Sequence, residues 1–309
     1  MLVTGGAGFV GSHVVDGLVT AGYTVGVVDN LSTGNLANIG THINRGSVDF
    51  VKADIRDRDV MGKLVHDVDA VIHLAAVVSV PFSLENPALT YDVNVDGTRG
   101  LLASCVRSGV KKFIFVSSCS VYGESRYLPV DEGHPTSPIS PYASSKLDGE
   151  RWCMAFDERS GFNVFVLRLF NVYGPRQALS EYSGVMTKFI ECVERGRPLV
   201  IYGDGSQTRD FVHVTDVESA VLRLVQSDNA GGVFNIGYGK AVSINDLAKT
   251  VMNLSGKDCG ITYQPSRDGD IAHSVADTSK ARKTFGYSPK VPLEEGLQNL
   301  LLERRCCAR

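Results

Sequence analysis

"VTGGAGFVGSH", residues 3–13, decides how this chain folds. A short apolar run, "MLVT", leads into it. A helical pattern leaves it, because Val10, Val14, Val15 and Leu18 share one face of a helix over Gly8 to Ala21. Gly5, Gly8 and Gly11 stand three residues apart. Glycine suits a strand-to-helix turn of this kind: the chain doubles back, a pyrophosphate can approach the backbone, and helix and strand lie close together. The helix N-terminus then offers free N–H groups and a positive partial charge to an anion. The spacing is not GxGxxG, and a glycine triplet alone is a weak signal.

Asp29 lies 18 residues past Gly11, at the end of a second apolar run, "TVGVVD" (24–29). A carboxylate there can accept both hydroxyls of an adenosine ribose and would repel the 2′-phosphate of NADP. It could also be a turn former in "DNLSTG". Triplet, strand context and acid together point to NAD. Asp54 closes a third run, "VDFVKAD" (48–54), where it could reach an adenine edge or shape a turn.

Further strand-like runs are "VDAVIHLA" (68–75), "KKFIFVSS" (111–118) and "NVFVLRLF" (163–170), with helices over about 87–108 and from Tyr142 to Gly161. Such alternation predicts an α/β fold, a Rossmann-type doubly wound parallel sheet covered on both faces. Past residue 175 the rhythm changes. A polar loop, "RQALSEYSG", precedes helices near 184–195, 215–227, 243–255, 277–284 and 293–303. Strands are expected in "PLVIYGDGSQTRDFVHV" and near 233–236 and 260–263. The expected division is a dinucleotide-binding domain over 1–175, with about 211–240 returning to it. A smaller C-terminal α/β substrate lobe spans 176–309, and a cleft separates the two.

The 309 residues suffice for this and for a substantial core. A net charge of −3 argues against a basic nucleic-acid face. No apolar run reaches membrane-span length, and the N-terminus lacks the marks of a secretory signal, so a cytoplasmic protein with a compact start is expected. The seven cysteines, 105, 119, 153, 192, 259, 306 and 307, form no CxxC pair and read as reduced thiols. Cys306 and Cys307 fall in a basic tail that reads as a frayed terminus. The seven histidines show no metal-ligand spacing, so no metal site is expected.

"SPYASSKLDGE" places Tyr142 and Lys146 four residues apart, on one helical face. Tyrosine ionises near pH 10 and is a poor base at neutrality; an adjacent ammonium and an oxidised nicotinamide favour the phenolate. The same pair could be no more than an aromatic and a charge on a surface helix. Ser118, 24 residues earlier, stands at the carboxyl end of a parallel strand, where open α/β sheets bind ligands. It could share a substrate hydroxyl with Tyr142, or merely satisfy local backbone.

With these pieces assembled, the chain resembles the extended short-chain dehydrogenase/reductase superfamily. Within it, the chain resembles the NAD-dependent epimerase/dehydratase family and, most closely, its UDP-glucose 4-epimerase type. The resemblance rests on "TGGAGFVG", "DNLSTG", "HLAA", "NVDGT", "SSCSVYG", "YASSK", "RLFNVYGP", "GDGSQTRDFVHVTD" and "RDGDI", in family order. It implies that Gly5, Gly8, Phe9, Val10 and Gly11 line the pyrophosphate turn. Asp29, Asn30, Leu31, Ser32, Thr33 and Gly34 would hold the adenosine ribose, and Asp54 and Ile55 would flank the adenine. Leu74, Ala75 and Ala76 would line the dinucleotide groove, with Asn94, Ser117 and Phe170 on the nicotinamide side. Tyr142 would be the general base, Lys146 would hold the nicotinamide ribose and tune Tyr142, and Ser118 would bind the sugar 4-hydroxyl. Asn171, Arg209 and Arg267 would grip a diphosphate, while Val185, Val200 and Tyr202 would contact uridine. Asp270 and Ser274 would belong to the sugar pocket. In relatives, helices matching 87–108 and 142–161 form a four-helix interface. Leu101, Leu102, Cys105, Trp152, Cys153 and Phe156 are consistent with such a homodimer, or with packing on their own sheet.

Three departures from the family pattern carry information. Dehydratases and some decarboxylases place acid just after the catalytic hydroxyl, where this chain has Cys119 and Ser120, so elimination is disfavoured. Val78 stands where bacterial epimerases have a cofactor-contacting lysine. Ser274 stands where some epimerases carry a tyrosine, and a small residue there is associated with N-acetylated sugars. The resemblance thus implies a UDP-hexose 4-epimerase acting on UDP-glucose/UDP-galactose and also on UDP-GlcNAc/UDP-GalNAc. Alternatives are a related epimerase, decarboxylase or dehydratase, for instance on UDP-glucuronate, or a non-catalytic NAD-binding protein.

Overall fold

The β-branched and aromatic runs pair into a seven-stranded sheet, all parallel, in the order β10-β6-β5-β4-β1-β2-β3. The computed structural model describes residues 1–160, 162–178, 184–266 and 270–307, with side chains omitted at 158–160 and 305–307. The first half runs β1 (Leu2–Thr4), α1 (Phe9–Thr20), β2 (Val25–Asp29), α2 (Gly40–Asn44), β3 (Val48–Lys52), α3 (Arg58–Leu64) and β4 (Ala70–His73). Then come α4 (Val80–Glu85), α5 (Pro87–Tyr91), α6 (Thr98–Ser108), β5 (Lys112–Ser118), α7 (Pro141–Ser160) and β6 (Asn163–Leu169). The second half runs β7 (Asn171–Tyr173), α8 (Val185–Glu194), β8 (Leu199–Tyr202), β9 (Thr208–His213), α9 (Val214–Gln226) and β10 (Gly232–Ile236). It ends with β11 (Ala241–Ser243), α10 (Ile244–Ser255), β12 (Ile261–Gln264), α11 (Ser279–Phe285) and α12 (Leu293–Cys307).

The sheet is apolar on both faces because helices cover both. Val14, Val15 and Leu18 of α1 pack with Val217, Val221 and Leu224 of α9 on one side. Leu101, Leu102 and Cys105 of α6 pack with Phe113, Phe115 and Cys153 on the other. Burying each large side chain contributes roughly 1.5–3 kcal/mol. Leu101, Leu102, Cys105 and Cys153 are therefore core of this subunit already, and only Trp152 and Phe156 keep part of their surface. Segment 214–236 returns to the first domain: α9 packs on α1, and β10 adds an edge strand beside β6. Helix α11 also packs on the seven-stranded sheet, through Ala281 and Phe285 beside Phe234. The rest forms a small lobe with a three-stranded sheet, β11-β9-β7, a parallel pair, β12-β8, and its own core of α8, α10 and α12.

Two elements differ from the sequence pattern. The helix expected over 87–108 is interrupted by a π-helical turn, Asp92–Gly97, which widens the backbone around Asn94. The last helix runs on through Cys307 instead of fraying, beyond the expected 303. Strand β5 ends at Ser118, and a 3-10 turn over Cys119–Tyr122 follows it directly. Helix α7 starts where Ser140 and Pro141 dictate: the Ser140 hydroxyl accepts from Ala143 N–H at 3.1 Å. Ser83, on α4, accepts from Tyr142 N–H at 3.1 Å, anchoring the first turn of α7 from a second element.

Candidate active site

The glycine turn has the shape that a pyrophosphate requires. Gly5 has φ +70°, and a Cβ there would lie 2.7 Å from Ala75 N. A Cβ on Gly11 would lie within bonding distance of the Gly5 carbonyl oxygen. Helix α1 starts at Gly8 with no side-chain cap, so its first N–H groups face outward at the positive end of a 12-residue helix. Phe9 and Val10 stand on that first turn, partly exposed.

Asp29 is 8% exposed and ties the turn to the loop after β2. It accepts from Ala7 N–H at 3.1 Å and from Leu31 N–H at 2.8 Å. Leu31 takes a left-handed φ of +60°, a strained conformation for a branched residue. Ser32 N–H bonds Asn30, and a Cβ on Gly34 would meet the Asp29 carboxylate at 2.8 Å. The segment 29–34 is thus a folded cup with Asp29 at its base and exposed Ser32 and Thr33 at its rim.

Asp54 beside it accepts two bonds from the Arg56 guanidinium, at 2.8 and 2.9 Å, and one from Asn30 at 3.0 Å. These donors hold its carboxyl well below the usual range, with the Arg56 side chain the largest cause. Ile55 is buried in the core, with its side chain close to Gly97.

The groove continues through Leu74, Ala75 and Ala76, all partly exposed. A buried relay holds them: Ala75 N–H donates to Thr4 Oγ1 at 3.2 Å, Thr4 Oγ1 contacts His73 Nδ1 at 2.6 Å, and His73 Nε2 contacts Thr98 Oγ1 at 2.9 Å. Thr98 in turn donates to the Asn94 carbonyl at 2.7 Å. Asn94 is 1% exposed. Its amide oxygen accepts from Val77 N–H at 2.8 Å, and its amide nitrogen donates to Val77 O and Ser145 Oγ, both at 2.9 Å. Asn94 therefore stitches the loop at Val77 to α7. Val78, one residue on, is 59% exposed.

At the end of β5 Ser118 and Tyr142 stand together, with Lys146 one turn farther along α7. The Tyr142 phenol stands beside Ser118, and Ser118 Oγ accepts from Ser120 N–H and Oγ at 3.2 and 2.9 Å. Lys146 is 4% exposed, donates to the Val116 carbonyl at 2.9 Å and lies 5.1 Å over the Phe115 ring. Burial pushes the Lys146 ammonium down to about 8 and the Tyr142 phenol up to about 12; Ser118 opposes the latter. Lys146 is thus held for its task by strand backbone, and the polypeptide by itself keeps Tyr142 protonated.

Ser117 faces the other way, as strand alternation requires. It is 3% exposed and donates to Glu150 at 2.5 Å, so its side chain is spent beneath the site. Phe170 is buried with Cys119, Tyr122 and Leu147 at the same strand ends.

The small lobe adds Arg209 and Ser274. Cys119 lies near Ser274, Arg209 and Asp210, and burial pushes its thiol up to about 12. Arg209 donates to Asp270 at 2.6 Å and to Thr208 O at 2.9 Å. Ser274 N–H bonds Thr208 O at 3.1 Å, which pins the segment after β12 to β9. Asn171 starts β7 beside Phe211 of β9. Val185 heads α8, while Val200 and Tyr202 lie on β8, farther into the small lobe. Arg267 lies outside the described residues. Among the described residues no three His, Cys, Asp or Glu gather to hold a metal, and no helix is long and apolar enough to cross a membrane.

A glycine turn, an acid at the end of β2 and a Ser–Tyr–Lys set at the end of β5 define an NAD-dependent enzyme of the short-chain dehydrogenase/reductase kind. The chain belongs to the NAD-dependent epimerase/dehydratase family, whose model matches residues 1–237. A putative UDP-glucose 4-epimerase of Methanocaldococcus jannaschii is 41% identical, covering 97% of both chains. UDP-glucuronic acid decarboxylase 2 of Arabidopsis thaliana is 33% identical over 99% of this chain and 68% of its own. The solved structure of UDP-glucose 4-epimerase from Thermotoga maritima with UDP-glucose superposes with a TM-score of 0.94 at 41% identity, over 100% and 99% of the two chains. UDP-N-acetylglucosamine 4-epimerase from Methanobrevibacter ruminantium, in complex with UDP-N-acetylmuramic acid, also gives 0.94, at 38% identity over 99% and 98%. NAD is the family's cofactor, and the glycine cradle, uncapped helix and Asp29 cup fit it.

Proposed function

We propose that this chain is a UDP-hexose 4-epimerase, acting on UDP-glucose/UDP-galactose and also on UDP-GlcNAc/UDP-GalNAc. The carrying observation is Ser118 beside the Tyr142 phenol at a strand end, followed by Cys119 and Ser120 in place of an acid. The turn at Gly5–Gly11, the cup at Asp29–Gly34 and the groove at Leu74–Ala76 would hold NAD, with Lys146 at its nicotinamide ribose. Bound NAD supplies a hydride acceptor that can return the same hydride to the opposite face of the 4-keto sugar. Tyr142 takes the O4 proton, which Ser118 shares, and later returns it. Lys146 keeps a positive charge close to Tyr142 and so favours the phenolate that burial alone resists. Arg209 and Arg267, with Asn171, grip the diphosphate, so the sugar can turn without leaving. Val185, Val200 and Tyr202 would flank the uridine.

Ser274 supports the wider sugar range, since a small side chain there leaves room at C2. The 33% likeness to a UDP-glucuronic acid decarboxylase supports a second reading, nucleotide-sugar decarboxylation or dehydration. The absence of a carboxylate at 119 and 120 weighs against its elimination form. We read the protein as a cytoplasmic homodimer. Support for the dimer comes from the partly exposed Trp152 and Phe156 on α7 and the exposed Leu89 and Tyr91 on α5; sedimentation measures it.

The test is a panel of UDP-sugars incubated with purified protein, with products resolved by NMR and mass. A product of unchanged mass with inverted C4 and no net redox is expected. Loss of carbon dioxide or water would select the second reading, and turnover of the simple hexoses alone would remove the N-acetyl substrates.

A further inference from the structure

Beneath the reacting residues lies a buried ion pair that the proposed chemistry does not use. Glu150 of α7 and Arg168 of β6 have side chains only 4% and 7% exposed. Arg168 Nε lies 3.0 and 3.2 Å from the two carboxylate oxygens and Nη2 lies 2.6 Å from one. Ser117 donates to the same carboxylate at 2.5 Å. The guanidinium stacks 4.8 Å over Tyr122, whose hydroxyl donates to Asn235 at 2.6 Å. Arg168 Nη1 is buried with no hydrogen-bond acceptor.

Such a pair is a poor stabiliser. Two charges lose their hydration, and an apolar pair of equal volume often serves the fold as well or better. The unsatisfied Nη1 adds a further penalty. Its location supplies a different reason. Ser117 immediately precedes Ser118 on β5, and Glu150 is four residues after Lys146 and eight after Tyr142, on the same face of α7. Lys146 is faced by Glu150 and Cys153 from its own helix, by His73 from β4 and by the Phe115 ring from β5, with Cys105 of α6 behind Cys153. Glu150 is the carboxylate in that set.

We propose that Glu150, fixed by Arg168, is a positioning residue that supplies the counter-charge for Lys146 and locks the Ser118 strand end to the Tyr142 helix. The inference rests on the epimerase reading for its effect on turnover but not for its effect on Lys146. Burial drives the Lys146 ammonium toward neutrality; Cys153 and then Glu150 oppose this. Since burial pushes the Cys153 thiol far up, the carboxylate is the one of the two that is charged at neutral pH. Arg168 holds the carboxylate in place against its own desolvation.

The test uses NAD-loaded protein with 13C-labelled lysine, the Lys146 line being assigned by its loss in Lys146→Met. In Glu150→Gln the Lys146 titration midpoint is expected to fall by about half a pH unit or more, and Glu150→Asp to restore it. Turnover of Glu150→Gln is expected to fall by about tenfold or more with KM within about twofold. The apolar double variant Glu150→Leu/Arg168→Met is expected to fold and bind NAD yet lose turnover to the same degree. An unmoved Lys146 midpoint in folded Glu150→Gln overturns the proposal, and so does wild-type turnover in the double variant. If neither variant folds, the pair serves the fold and the proposal fails. The midpoint needs no substrate, so a wild-type enzyme that turns over no UDP-sugar would sink the epimerase reading alone.

Discussion

Lys146 Nζ donates to the Val116 carbonyl at 2.9 Å, two residues before Ser118. The bond ties the helix that carries the base to the strand that carries the serine. It also means that a buried ammonium is held against a strand carbonyl and an aromatic face, a costly placement for a lysine without a task. Tyr142→Phe, which removes only the phenol, is expected to lower kcat by about 10²–10⁴ with NAD still bound. Ser118→Ala should cost less, since Tyr142 remains. Lys146→Met should lose both turnover and part of the NAD affinity. Turnover and the bound-NAD content of the purified variants check all three; a Tyr142→Phe enzyme with near-normal kcat would remove Tyr142 as the base.

The thiol of Cys119 sits between the Ser118 turn and Ser274, and burial keeps it protonated. It has no role as a nucleophile, since a thiol pushed up to about 12 is not a thiolate at neutral pH. Cys119→Ala is expected to retain most of the activity. Ser274→Tyr is the informative partner. It should leave UDP-galactose turnover within about threefold while lowering UDP-GalNAc turnover by about tenfold or more, the scale of a steric exclusion in a pocket. Equal losses on both sugars would show that Ser274 lies in the fold's framework and not against C2.

The doubly wound sheet was legible because its strands are continuous apolar runs and its glycine turn has few other uses. Ser118, Tyr142 and Lys146 were legible because their spacing puts them on a strand end and on one face of one helix. What stayed hidden depends on contacts between distant segments. Ser117 adjoins Ser118 in sequence, yet strand alternation sends its hydroxyl to Glu150. The burial of Ile55 against Gly97 likewise depends on a segment far from it in sequence. The π-helical turn around Asn94 has no periodic signature, because it adds one residue to an otherwise regular helix. Glu150 did leave a trace, a third residue at spacing four after Tyr142 and Lys146. Its partner Arg168 lies inside an apolar strand and could be paired with it only in three dimensions. Leu101, Leu102 and Cys105 read equally as interface or core, and within the subunit they are core.

Asn94 joins three backbone and side-chain groups, reaching back 17 residues to Val77 and on 51 residues to Ser145. Asn94→Ala leaves the Val77 N–H and C=O and the Ser145 hydroxyl without these partners in a buried place, a loss of about 2–4 kcal/mol. It should also loosen the groove loop, so that NAD is lost during purification. Chemical denaturation and the cofactor-to-protein ratio check both. Asn94→Asp keeps the acceptor but not the donor, and should fall between the two.

Glu218 of α9 packs against Gly17 of α1, close to Asp16. Burial first, and the Asp16 charge second, push its carboxyl up to about 7, with Arg176 opposing. The folded state therefore binds this proton more tightly than the unfolded chain. Above pH 7 both states are ionised, and the fold carries the full penalty of a buried carboxylate. As the pH falls from 7 toward the unfolded value near 4.5, the folded state takes up a proton and the penalty is relieved. Glu218→Gln removes the charge at every pH. It is expected to stabilise the protein at pH 8 by on the order of 1–3 kcal/mol, and by much less at pH 5. Thermal or urea midpoints of variant and wild type at the two pH values decide it. An equal gain at both would mean that the amide simply packs better, and a loss at pH 8 would mean that Arg176 holds the carboxylate ionised.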